Sequence, residues 1–183
     1  MFNLRQIEEK DLDFVITVRQ DPEVQKYLGT LTHLNMFKQK KWYEKISEDS
    51  TKLYLIFEKT NFTEEEKRMV PLPDPYKKIG YVRLTEIDYL NKDICVGGDI
   101  SKSYRGLGYG KEMYKEIFHL IFNQLNMNKC HLWVLENNER AIKLYKKLGF
   151  KESGIARKAI YKDGEYLDYI FMDLLKGESN VVF

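Results

Sequence analysis

The sequence predicts an α/β (α+β) domain with about seven strands. Three observations carry this prediction. Seven short runs have apolar or alternating character: Phe2–Ile7, Leu53–Phe57, Ile79–Ile87, Ile94–Ile100, Cys130–Leu135, Phe150–Tyr161 and Tyr166–Leu175. Segments with helical periodicity are interleaved with them. One junction, Tyr104-Arg105-Gly106-Leu107-Gly108-Tyr109-Gly110-Lys111, reads as strand, tight turn and helix N-terminus.

In chain order, Phe2–Ile7 alternates apolar and polar residues, the period of a half-buried strand. Asp11 can cap a short helix carrying Leu12, Val15, Ile16 and Val18. Asp21-Pro22 breaks that helix, and Pro22 opens another through Leu28. Leu34–Ser47 is a helix with Leu34, Phe37, Trp42 and Ile46 on its apolar side. Thr60–Tyr76 holds Glu64-Glu65-Glu66-Lys67-Arg68 and Pro71, Pro73 and Pro75, and is expected to be a surface insertion between two hairpin strands. Gly97-Gly98, inside Ile94–Ile100, marks either a bulge or a place where a ligand approaches the backbone.

Met113, Tyr114, Ile117, Phe118, Ile121 and Leu125 then repeat at helical spacing. Asn137 or Asn138 can cap the next helix, which buries Ala141, Leu144, Tyr145 and Leu148 and stops at Gly149. Asp163-Gly164 signals a hairpin turn. Residues 1–176 are read as one domain, and 177–183 as a tail or the start of a linker. The apolar ending Val181-Val182-Phe183 is expected of a chain that continues further.

Composition narrows the function. Thirty basic and 28 acidic residues leave a net charge of +2, without the basic excess that nucleic-acid binding leaves. No apolar run reaches the roughly 18 residues of a membrane span, and the N-terminus lacks a signal-peptide pattern. Cys95 and Cys130 are too few for a disulfide framework, so a reducing, cytoplasmic setting is expected. His33, His119 and His131 are not at metal-ligand spacing, and no metal is expected. Neither cysteine has an evident His and acid partner that would make it a nucleophile.

The glycine loop can cradle phosphate. Helix N-termini carry unpaired N–H groups and the positive dipole end, and glycine admits close approach and positive φ. The spacing Gly106, Gly108, Gly110 is one residue short of a dinucleotide fingerprint. Gly110-Lys111 is followed by Glu112, where a nucleotide-binding P-loop needs Ser or Thr.

Arg105, Gly108 and Gly110 do fit Arg-x-x-Gly-x-Gly, and here the chain resembles the GNAT family of N-acetyltransferases over nearly its whole length. Asn137, Ala141, Tyr145 and Gly149-Phe150 resemble the family's second signature. The resemblance implies a mixed, mostly antiparallel sheet with flanking helices, whose central parallel strands, Ile94–Ile100 and Cys130–Leu135, splay apart. It implies acetyl-CoA as cosubstrate, its pyrophosphate on Arg105, Gly106, Leu107, Gly108, Tyr109, Gly110 and Lys111. Gly98 and Ile100 would pair with its pantetheine, and Asn137 and Tyr145 would complete the contacts.

Acetyl transfer to an amine needs a proton acceptor for the amine, a donor for the developing oxyanion and a proton donor for the leaving thiolate. Tyr145 matches the family's acid, with a phenol that stays protonated near neutrality. Asp99, then Glu86, are the candidate bases; Glu136 is a third strand-end carboxylate.

For the acceptor, Arg19-Gln20-Asp21-Pro22-Glu23-Val24, Leu84–Asp88 and Asp163–Asp168 resemble the branch of nucleotide-amino-sugar, ribosomal-protein and spermidine acetyltransferases. The first choice is an amino sugar on a nucleotide carrier, such as a 4-amino-4,6-dideoxyhexose used in glycan synthesis. The alternatives are a peptide or protein N-terminal amine, a polyamine, or a non-catalytic acetyl-CoA-binding module. A homodimer is compatible with this reading.

Overall fold

The computed structural model describes residues 1–29, 34–61, 63 and 78–183. Its strands are β1 (Phe2–Gln6), β2 (Leu53–Lys59), β3 (Lys78–Asp88), β4 (Asp93–Ile100), β5 (Lys129–Leu135), β6 (Lys151–Lys162) and β7 (Glu165–Leu175). Its helices are α1 (Leu12–Gln20), α2 (Pro22–Gln25), α3 (Met36–Ser47), α4 (Tyr109–Phe118) and α5 (Glu139–Leu148). The strands form one sheet in the order β1-β2-β3-β4-β5-β7-β6. The strand and helix expectations thus hold within a few residues at each end. Most of the expected Thr60–Tyr76 insertion, and His33, lie outside the described residues.

Every neighbouring pair is antiparallel except β4 and β5. That parallel pair is registered only at Asp93↔Lys129, Ile94↔Cys130 and Cys95↔His131. Beyond Cys95, β4 stays paired with β3 out to Ile100, and β5 stays paired with β7 out to Leu135. The two strands therefore diverge, each still held by its outer neighbour, and open a wedge in the sheet.

Both faces of the sheet are covered. On one, Ile94, Val96, Leu132 and Val134 pack with Met113, Tyr114, Ile117 and Phe118 of α4. On the other, Leu12 and Val15 of α1 meet Ile56 and Tyr81, with Trp42, Tyr43 and Ile46 of α3 alongside. Phe37, expected on the apolar side of α3, is instead 68% exposed.

The long helix changes pitch. The α-helix ends at Phe118 and continues as a π-helix, His119–Gln124. Its buried pairs, 113/114, 117/118 and 121/122, recur every four residues. That interval exceeds the 3.6 of an α-helix, so a wider turn keeps Ile121 and Phe122 on the core face.

One further expectation is corrected. Asp11 stands at the N-cap of α1, but its side chain makes no cap bond there; it is buried and bonds Arg5 at 2.6 and 2.9 Å, the Glu8 amide at 2.9 Å and Lys78 at 2.9 Å. The C-terminal residues pack on the domain. Val181 is buried, the Asn180 amide donates to the Leu148 carbonyl, and the Phe183 ring packs against Phe118 and Phe122.

Candidate active site

The wedge opens into a cleft of about 980 Å³. One half is made by the glycine loop, α4 and α5. The other is made by α1, the segment Glu23–Gly29 and the β5 and β7 aromatics.

In the first half each glycine has its own reason. Gly106 and Gly108 have φ of +82° and +81°, and a Cβ on either would touch nothing within 4 Å among the described residues. Backbone conformation, not space, requires glycine there. Gly110 has no such strain; a Cβ on it would lie 3.2 Å from Leu144 Cδ2, so it lets α4 pack closely against α5. Gly108 is the N-cap of α4 and, among the described residues, no side chain caps that end, which leaves it for an anion.

Arg105 donates from Nε to the Ile100 carbonyl at 2.9 Å and from Nη1 to Asp21 at 3.0 Å. Among the described residues its Nη2 is buried without a hydrogen-bond partner. A buried unpaired guanidinium N–H beside an uncapped helix start is the provision an entering phosphate satisfies. Acetyl-CoA fits this half: the loop, α4 N-terminus and Arg105 would hold its pyrophosphate, and it brings the reactive thioester.

The expected cofactor residues divide. Gly98, Ile100, Arg105, Gly106, Gly108, Tyr109, Gly110, Lys111 and Tyr145 line the cleft. Leu107 does not line it and is 42% exposed. The Tyr109 side chain is buried against Phe2 and Tyr104, leaving its backbone for the loop. Asn137 lies outside the cleft, beside Glu139, Arg140 and Lys143. Its neighbour Asn138 lines the cleft and caps α5, accepting from the Ala141 amide at 3.2 Å. Asn138 stands three residues before Ala141, where one turn of helix places a cap, so it replaces Asn137 in the signature.

Gly97-Gly98 is not a bulge: Arg83↔Gly97 and Val82↔Gly98 are in register. A Cβ on Gly97 would lie 2.9 Å from Arg83 Nη2, and one on Gly98 would collide with the Met113 thioether. The irregularity falls between Thr85 and Asp88, where Glu86 adopts φ +53°.

Tyr145 faces the wedge from α5. Its ring meets those of Tyr114 at 5.6 Å and Phe150 at 5.7 Å. Burial pushes its phenol above the ordinary value, so it holds its proton.

The base candidates fare differently. Asp99 lines the cleft but is bound by Arg83 and, at 3.2 Å, by Arg19. Burial opposes its charge, yet Arg83 and Arg19 prevail and hold the carboxylate below its ordinary range, which makes it a poor proton acceptor. Glu86 lies outside the cleft lining, its side chain 70% exposed on the bulge. Glu136 accepts from the Asp168 amide at 2.9 Å, a structural bond.

Several cleft residues were not anticipated: Arg19, Arg83, Tyr27, Trp133 and Tyr169. Trp133 is 43% exposed, with its ring against Tyr169 and Phe171. One signal was present. Arg83 shares its strand face with the buried Tyr81, and an arginine set there requires a counter-charge.

The cysteine expectation is also corrected. Cys95 and His131 are paired residues on β4 and β5, and His131 Nδ1 lies 3.0 Å from Asp93 Oδ1. Hydrogen bonds with Cys95 and Asp93 push the His131 imidazole up to about 9 against its partial burial. Glu86 completes the group, the ligand atoms of Glu86, Cys95 and His131 all lying within 4.8 Å of one another.

Known proteins agree with this geometry. Residues 2–151 match the family model of the acetyltransferase (GNAT) domain. The spermidine N(1)-acetyltransferase of Vibrio cholerae is 25% identical over 96% of this chain and 93% of its own length. That of Escherichia coli strain K12 is 29% identical over 96% of this chain and 86% of its own length. The crystal structure of the Vibrio cholerae spermidine N-acetyltransferase in complex with CoA and spermine superposes with a TM-score of 0.85 at 22% identity, covering 97% of this chain and 96% of that one. The chain belongs to the GNAT acetyltransferase family and is an acetyl-CoA-dependent N-acetyltransferase.

Proposed function

We propose that the acceptor is a primary amine of a polyamine, spermidine or spermine in the first instance. The observation that carries this reading is coverage: the spermidine acetyltransferase relatives match 96% of the chain, a span that includes α1 and α2, which wall the acceptor half. The nucleotide-linked amino sugar that the sequence placed first has no counterpart among these relatives, and the polyamine alternative replaces it.

The roles follow from position. Backbone N–H groups along the unpaired edge of β4, near Gly97 and Gly98, face the space where the thioester carbonyl would lie and can donate to the developing oxyanion. The Tyr145 hydroxyl donates a proton to the departing sulfur. The amine attacks from the Trp133 and Tyr169 side. Asp99, locked between two arginines, positions them; the amine's proton leaves to water in the open acceptor half.

One observation favours a second reading. Arg19 and Arg83 share the single carboxylate of Asp99, so this wall retains positive charge. An amine that also bears an anionic group, as in a peptide or amino acid, would meet it well. Release of free CoA thiol from acetyl-CoA, measured with spermidine, spermine, peptides with free N-termini, amino acids and nucleotide amino sugars, decides between them. Turnover with spermidine or spermine is expected; turnover confined to anionic amines overturns the polyamine reading.

A further inference from the structure

We propose that Glu86, Cys95 and His131 form a binding site for one divalent transition-metal ion, Zn²⁺ by the chemistry of the donors, with Asp93 as the outer partner of His131. The site is separate from the acyl-transfer cleft and does not depend on which amine is acetylated.

The donor set is one carboxylate, one thiol and one imidazole, the ligand types zinc takes. They come from three neighbouring strands at one level of the sheet: Thr85 pairs with Cys95, and Cys95 pairs with His131. Their ligand atoms lie within 4.8 Å of one another, and Glu86 Oε2 is 3.6 Å from His131 Nε2. A tetrahedral ion with bonds of about 2.0–2.3 Å needs its ligands about 3.3–3.8 Å apart, so small side-chain rotations suffice. Three protein ligands leave a fourth position for water on the side where Glu86 is exposed.

Two features go beyond a chance meeting of side chains. First, the Asp93 carboxylate holds Nδ1 of His131 at 3.0 Å, and Lys129 holds the other oxygen of Asp93 at 3.0 Å. This is the carboxylate–histidine arrangement that orients a metal-binding imidazole with Nε2 outward. Second, Glu86 reaches the group through the bulge. Leu84 and Ile87 are both buried, although a regular strand would point them to opposite faces. Placing Glu86 at φ +53° lets Ile87 return to the core and brings Glu86 beside His131. A left-handed glutamate is unfavourable, and such strain concentrates at sites with a use for it.

Binding releases the thiol proton of Cys95 and one imidazole proton of His131, so the ion meets a thiolate and a neutral Nε2. It would then staple β3, β4 and β5 at the last register before the sheet opens.

The test is titration of the chelator-stripped protein with Co²⁺, following the thiolate-to-cobalt charge-transfer band, then displacement by Zn²⁺. One equivalent is expected in the wild type. The band should vanish in Cys95→Ser. Affinity should fall at least tenfold in His131→Gln, 10- to 100-fold in Asp93→Asn, and severalfold in Glu86→Gln, whose exposed position keeps the fold intact. Zn²⁺ should raise Tm in the wild type and not in His131→Gln. Absence of the band in the wild type overturns the proposal. So does a band that survives Cys95→Ser, or wild-type affinity in both Glu86→Gln and His131→Gln.

Discussion

The two halves of the cleft are built on different logics. The cofactor half is local: its loop, the α4 N-terminus and Tyr145 lie between residues 105 and 145, and its anion-holding groups are mostly backbone. The acceptor half is assembled from distant chain. Arg19 reaches Asp99 across 80 positions, and Lys162 holds the Gln25 and Leu28 carbonyls across more than 130. Backbone geometry written in glycine spacing binds a constant ligand. Side chains gathered from α1, β3, β4, β5 and β7 can be exchanged singly, and so can adapt to different amines.

The largest effect should come from Tyr145→Phe. If Tyr145 is the acid of the cofactor half, kcat falls about 10- to 100-fold while KM for acetyl-CoA changes little. Steady-state thiol release reads both, and an unchanged kcat removes Tyr145 from the chemistry. Arg105→Ala should come next, raising the Kd for acetyl-CoA about tenfold by calorimetry through loss of the guanidinium beside the glycine loop.

Gly108→Ala tests whether backbone conformation governs the loop. Alanine at φ +81° should cost about 1–2 kcal/mol, lowering Tm by several degrees, and acetyl-CoA affinity should fall with it. The smallest effect concerns the frame of the acceptor half. Burial opposes charge on Asp11, but Arg5, the Glu8 amide and Lys78 hold its folded-state pKa well below the ordinary carboxylate range. A depressed carboxylate stabilises the fold above its unfolded-state pKa of about 3.9, and that contribution is lost as pH falls below it. Thermal melts from pH 6 to pH 3 should therefore drop more steeply in the wild type than in Asp11→Asn.

The same contrast explains what the sequence revealed. The glycine loop, the Gly149 stop, the strands and the parallel opening were legible because each is set by neighbours in the chain or by a short signature. Asn138 was passed over for Asn137 because both can cap, although Asn138 alone stands three residues before Ala141, a spacing the sequence already held and the Ala141 amide bond bears out. Gly97-Gly98 drew attention as a bulge or a place of ligand approach, yet those glycines make room for Arg83 and Met113, and the bulge sits at a glutamate. Asp99 could be seen as a carboxylate, but not as one clasped by Arg19 and Arg83. The Cys95–His131–Asp93 contact joins two strands 38 residues apart, and no local pattern announces it.

The Asp21–Arg105 ion pair has a consequence in the language of linkage. Asp21 Oδ1 accepts from the Glu23 amide at the start of α2 and from the guanidinium beside the phosphate loop. One carboxylate thus fastens the roof of the acceptor half to the floor of the cofactor half. Whatever factor the amine applies to acetyl-CoA affinity through this link, reciprocity requires acetyl-CoA to apply the same factor to the amine's. Kd for acetyl-CoA should fall as amine saturates, and Asp21→Asn should shrink that coupling.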